Sequence, residues 1–159
     1  FEPHLDKKNK NHIHNLSDIN RFTFDVVTMF HSIEHLHNID ESLKLIYDVL
    51  SKDGVLVLSF PNYCAYEKSF FDKDWVAYDV PRHLYHFSPK TIKKILMKND
   101  FEIIESQPVY LDTFYNIIMS TDKVYKFLFL VPIQIILSLF KILKDKSMAS
   151  SLLLVCKKL

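Results

Sequence analysis

The chain has 159 residues, 48% hydrophobic and 25% charged, which suits one domain with its own core. Lysine plus arginine (20) nearly balance aspartate plus glutamate (19), so the basic footprint that nucleic acid requires is absent and no such partner is expected. Gly54 is the only glycine, which excludes GxGxG and GxxxxGK phosphate cradles, since each needs more than one.

In chain order, residues 1–11 are polar and rich in lysine and asparagine and read as a loop or frayed end. His12-Ile13-His14 predicts a very short strand and Leu16 to Asn20 a helical turn. The run Phe24 to Phe30 is β-branched and aromatic over strand length, as expected of a buried parallel strand. Asn38 supplies an N-cap for a helix with Leu43, Ile46, Tyr47 and Leu50 on one face. Lys52-Asp53-Gly54 predicts its stop, with Gly54 as the C-terminal cap.

Val55 to Phe60 reads as the next strand, ended by Pro61-Asn62. Strand, helix and strand with short links imply a right-handed crossover and a parallel pair. Residues 63–87 carry Tyr63, Tyr66, Phe70, Phe71, Trp75 and Tyr78 and read as an aromatic flap. Ser88-Pro89 opens a helix with Ile92, Ile95 and Leu96 on its inner face, and Phe101 to Tyr110 predicts another strand.

Residues 113–144 read as an apolar helical insertion. Phe127 to Phe140 carries no charge over 14 residues and is flanked by Lys126 and Lys141, shorter than the roughly 20 residues that span a bilayer. Both a buried helix pair and a peripheral membrane contact fit. Ser151 to Cys156 is the last predicted strand. Cys64 and Cys156 have no metal-type spacing, no secretory signal is visible, and a reducing, cytoplasmic setting is expected, membrane-associated if 113–144 meets lipid.

The stretch FDVVTMFHSIEHLHNIDESLKLIYDVLSKDGVLVLSFPN, followed by WVAYDVPRHLYHFSPKTIKKILMKNDFEI, resembles class I S-adenosylmethionine-dependent methyltransferases. The likeness is to the methyltransferase-domain group that includes ubiquinone-biosynthesis O-methyltransferases, many of them bacterial. It covers about residues 24–110, with an echo near 150–158. Val55 stands where the group has a second glycine, and Asp100-Phe101 replaces its Gly-Phe.

The resemblance implies an α/β fold: a partial Rossmann-like methyltransferase domain with a mostly parallel sheet and flanking helices. Of the family order 3-2-1-4-5-7-6, strands 4-5-7-6 would be retained. The single domain 1–159 would then be N-terminally truncated, as its start at Phe1 also suggests. It would lack the half that bears the glycine-rich loop and would expose strand 4 as an edge.

S-adenosylmethionine is the cofactor implied, with Phe30, His31 and Asn62 (and Tyr63) near it. A small-molecule, lipid-linked or glycan-linked acceptor would be methylated on oxygen. His35 is the first candidate for general base with Glu34 orienting it, and His31 and His83 complete the catalytic set. Capping of the next helix explains Glu34 and His35 equally well. Trp75, Tyr85 and His86 are the acceptor-pocket candidates.

No metal is assigned. The alternative is a divalent ion on His31, Glu34, His35 and His83, resembling the E-x-x-E-H cluster of some relatives, with His31 replacing the first glutamate. Two readings of a different kind also stand: a non-catalytic remnant, and a membrane-associated binding module with the same half-fold.

Overall fold

A computed structural model describes residues 22–123 and 129–159; the short strand at 12–14 and the turn at 16–20 expected above lie outside them. The elements are β1 (Phe24–Phe30), α1 (Ile39–Val49), β2 (Leu50–Pro61), α2 (Lys68–Phe71), α3 (Pro89–Lys98), β3 (Phe101–Pro108), α4 (Tyr110–Lys123), α5 (Val131–Lys144) and β4 (Ser151–Lys158). The sheet order is β1-β2-β4-β3, the retained order that the family likeness implied.

β1 and β2 are parallel, joined by the crossover through α1. β4 enters between β2 and β3 and is antiparallel to both. Three of the four strands therefore run one way, while two of the three ladders are antiparallel. The consequence is functional. The carboxyl ends of β1, β2 and β3 and the amino end of β4 all meet at one edge of the sheet.

The principal core packs Leu56, Leu58, Phe60 and Phe101 of the sheet against Leu43 of α1 and Ile92 and Leu96 of α3. Both helices start as the sequence predicts, with the Asn38 side chain accepting from Glu41 N and the Ser88 hydroxyl from Thr91 N. Polar bonds tie the same two helices together. Lys98 Nζ and Asn99 Nδ2 donate to the two oxygens of Asp40 at 2.6 and 2.8 Å.

Gly54 does a different job from the one expected. α1 ends at Val49, its cap Leu50 is extended, and β2 begins there at once. Gly54 has no positive φ. The register instead slips between Phe24–Leu50 and Val26–Val55, so residues 51–54 form an irregular step. A Cβ on Gly54 would lie 2.9 Å from Ser51 Oγ and 3.0 Å from the Phe24 carbonyl oxygen. Close backbone approach, not turn geometry, requires the glycine.

The left-handed position lies elsewhere. Asp100 takes φ 61 just after α3, where its carbonyl accepts from Leu159 N at 2.9 Å. Within residues 63–87, short helical turns run from Lys68 to Tyr78. Ala65, Phe71, Trp75 and Ala77 build a second core with Ile117 of α4.

Two stability changes follow. Gly54→Ala should lower the unfolding free energy by about 1–3 kcal/mol, since the Phe24 carbonyl cannot yield cheaply. Asp100→Gly should raise it by about 0.5–1 kcal/mol by removing the Cβ penalty at positive φ. Denaturant melts of both variants beside the parent check the opposite signs.

Candidate active site

Ligands of open α/β sheets collect outside the carboxyl ends of the strands. At that edge lies a cleft of about 330 Å³ whose walls include His31, Asp79, Arg82, His83, Asp112 and Tyr115. His31 follows β1 directly and adopts φ 45. That costs about 1 kcal/mol or more for a non-glycine residue, and the strain is held by its N–H donating to the Ser59 carbonyl at 3.0 Å. Asp112 comes from the first turn of α4, just after β3.

The His31 ring is held between two carboxylates. Nε2 lies 2.9 Å from Asp112 Oδ2, and Nδ1 lies 3.5 Å from Glu34 Oε1. The Asp112 hydrogen bond, reinforced by Glu34, raises its pKa to about 9. Burial works to raise the Asp112 carboxyl, but the His31 hydrogen bond and charge outweigh it and leave that pKa below its ordinary value. At neutral pH His31 is therefore a fixed cation, with no lone pair to accept a proton.

His35 and His83 are held differently. His35 Nδ1 faces the Arg82 carbonyl at 2.8 Å, and His83 Nδ1 faces the Ala77 carbonyl at 2.9 Å. A carbonyl only accepts, so each Nδ1 carries a proton, and in the neutral ring the lone pair is then on Nε2. The rings meet edge to face with centroids 4.8 Å apart.

Glu34 lies beside them with its side chain 1% exposed. Its oxygens accept no hydrogen bond among the described residues, and His83 Nε2 is 3.9 Å from Oε1. The His31 ring, 3.5 Å from Oε1, supplies part of the compensation that such a buried carboxylate needs. One ligand atom from each of Glu34, His35 and His83 lies within 4.8 Å of the others. With Nδ1 anchored on carbonyls, these histidines have the outer-sphere support usual for metal ligands. The donor set thus fits a divalent ion; His31, engaged by Asp112, stands outside it.

The other expected site residues divide. Phe30 is exposed on β1, which pairs only with β2 among the described residues. His86 lies near the cleft, its Nε2 3.0 Å from the Tyr78 carbonyl and its ring centroid 6.5 Å from His83. Tyr85 is exposed and stacks on Phe87, away from the cleft walls.

Asn62 and Trp75 are corrected to structural roles. Asn62 is fully buried and donates to the Ser147 and Ala149 carbonyls at 2.7 and 2.8 Å. Its oxygen accepts from Cys64 N at 3.0 Å, so the whole amide is engaged inside the fold. Trp75 is 1% exposed and donates to buried Glu67 at 3.3 Å. An indole filling the second core cannot also face an acceptor.

Asp79, Arg82, Asp112 and Tyr115 escaped the sequence reading. Arg82 pairs with Asp79 at 2.6 Å. Asp112 had one available signal, an acid at the start of the helix that follows the third same-direction strand.

Residues 1–106 match a family described as a methyltransferase domain. No curated protein matches the chain. Among solved structures, a possible histamine N-methyltransferase from Thermotoga maritima, S-adenosylmethionine-dependent, superposes with a TM-score of 0.53 at 12% identity. The match covers 87% of this chain and 57% of that one. A methyltransferase of the same cofactor class from Archaeoglobus fulgidus gives 0.52 at 17% identity, covering 90% and 64%. The 4+2 cyclase SpnF gives 0.53 at 16%, covering 86% and 50%. These likenesses establish the fold, and the chain spans between 50% and 64% of the lengths of these structures.

The His31–Asp112 pair makes a pH-dependent contribution to stability. Because the folded pKa lies above 6.5, that contribution is complete below pH 6.5 and is lost as pH rises through about 9. Proton NMR of the His31 ring should titrate near 9 and move toward the ordinary value in Asp112→Asn. A stability gap between parent and His31→Gln that stays flat over that window would contradict the pairing.

Proposed function

The chain belongs to the class I methyltransferase-domain family, and from that premise we propose that it forms the acceptor-side half of an enzyme that methylates an acceptor hydroxyl. The observation that carries this reading is the cleft at the strand ends, where the His31 cation and the His83 ring both approach the buried Glu34 carboxylate.

S-adenosylmethionine, when bound, supplies a methyl group on sulfonium-bound carbon. Phe30 and His31, at the end of β1, would stand on its side of the cleft. The open edge of β1, with Val26 and Phe30 exposed, fits a further strand bearing the glycine-rich loop, provided by another part of the native protein or by a partner. His31 and Arg82 orient the acceptor. His83 Nε2 would take the proton of the acceptor hydroxyl, readying its oxygen for the methyl group that the cofactor would supply. The Ala77 carbonyl holds His83 in the required tautomer, and Glu34 stabilises the imidazolium that forms. His83, which lines the cleft, suits the base role better than His35, which buttresses it.

A second reading has its own support in the Glu34, His35 and His83 geometry. A divalent ion held there would polarise the acceptor oxygen. A third, the non-catalytic remnant, draws on the single glycine of the chain.

The test uses the full-length native protein with methyl-labelled cofactor and a panel of hydroxylated acceptors. His83→Gln should lower kcat by about 100-fold to 1,000-fold with cofactor affinity unchanged, and chelators should have no effect. Loss of activity on chelation, with equal damage from Glu34→Gln and His35→Gln, would select the metal reading. Failure of the full-length protein to bind S-adenosylmethionine would leave the remnant.

A further inference from the structure

A helix on a water-soluble body turns its apolar stripe inward and its polar residues outward. α4 and α5 bury Ile117 and Ile142 but leave many of their large apolar residues outside and several polar ones inside. The inner face of α5 presents Gln134, 7% exposed, and Ser138, 0% exposed, with Ile142 completing the row. α4 likewise buries Thr113, Asn116, Ser120 and Thr121. The outward faces are apolar. On α5, Ile133, Ile136, Leu137, Phe140 and Leu143 fall within about 120° of arc at 100° per residue, with Ile136 66% and Leu143 76% exposed. On α4, Leu111, Tyr115 and Ile118 recur at helical spacing and are likewise exposed.

From this pattern we propose that the outer faces of α4 and α5 dock on the surface of an anionic lipid bilayer. Small polar residues between helices and large apolar ones outside are the arrangement that lipid, not water, favours. Charge supports the same occupant. Lys141 and Lys144 close the last turn of α5 and are exposed. The Lys144 ammonium lies 4.4 Å from the centre of the Phe140 ring, placing a cation at the rim of the apolar face, as an interfacial helix does. Asp112, in the first turn of α4, is engaged by His31, and exposed Asp145 caps the next turn by accepting from the Ser147 N–H.

The contact is interfacial. α5 has 14 residues, about 21 Å of helix, against a hydrocarbon core of about 30 Å. No helix among the described residues is long and apolar enough to cross a membrane. Tyr115 belongs both to the apolar face and to the cleft wall, so the cleft lies beside the docked surface. The docking itself does not rest on the catalytic reading.

The experiment is flotation of the native full-length protein with phosphatidylcholine vesicles, with and without phosphatidylglycerol. The protein should float with the anionic vesicles and less so at high salt. Lys141→Glu and Lys144→Glu should each weaken binding by about fivefold, and Ile136→Ser with Leu143→Ser by at least tenfold. All four positions are exposed, and unchanged circular dichroism confirms folding. Protein that stays at the bottom with both vesicles overturns the proposal. So does sedimentation showing a dimer that Ile136→Ser with Leu143→Ser turns into a monomer, because the face would then serve self-association.

Discussion

The buried amide of Asn62 is the joint on which the rest of the molecule hangs. It closes β2 onto the turn that feeds β4, satisfying two carbonyls that would otherwise be orphaned inside the protein. Its own backbone N–H donates to the Ser150 carbonyl at 2.7 Å. From there the linkage runs on. Ser150 N donates to Thr113 Oγ1 at 3.3 Å, and Val109 N to the Ser151 carbonyl at 3.0 Å. These bonds fix the start of α4 against the start of β4, and α4 carries Asp112 to His31. Buried Glu67, bonded to Ser150 and Trp75, has its pKa raised because burial disfavours the charge. It joins the second core to the same turn.

The cleft divides three histidines by what faces their ring nitrogens. Carboxylates on both sides make His31 a cation. Backbone carbonyls at Nδ1 fix the tautomer of neutral His35 and His83, with the lone pair on Nε2. The identical side chain thus takes two chemical characters within one site, and the difference comes from neighbours rather than from exposure. Glu34, almost wholly buried, connects the two groups through contacts of 3.5 Å to His31 and 3.9 Å to His83. A proton or cation at either position is felt at the other.

The helix pair α4–α5 serves two surfaces at once. The inner polar row of α4 bonds to the second core and the β4 turn, with Val76 N donating to the Ser120 hydroxyl at 2.8 Å and Ser150 N to Thr113 Oγ1 at 3.3 Å. That leaves the apolar residues outside. Gln134 Oε1 and Ser138 Oγ are buried on the inner face of α5 with no hydrogen-bond partner among the described residues. The site wall and the apolar exterior share α4, which links acceptor access to whatever covers that face.

The sequence alone determined the strand–helix–strand unit, the caps at Asn38 and Ser88, the order of the sheet through the family motifs, and the clustering of His31, Glu34 and His35 after β1. These are local: periodicity, capping and a motif that lies within a few residues. The tertiary structure decided what depends on distant partners. Asp112 meets His31 across 81 positions, and Asn62 finds its carbonyls 85 and 87 positions away. No local pattern encodes such pairs, so the cofactor role expected of Asn62 and the acceptor role expected of Trp75 gave way to burial. The same holds for Gly54, whose spacing suggested a turn while the neighbouring Phe24 carbonyl set a limit on volume. Which face of α4 and α5 points inward was likewise settled by packing, because an apolar run shows that a helix is buried or bound without showing by what.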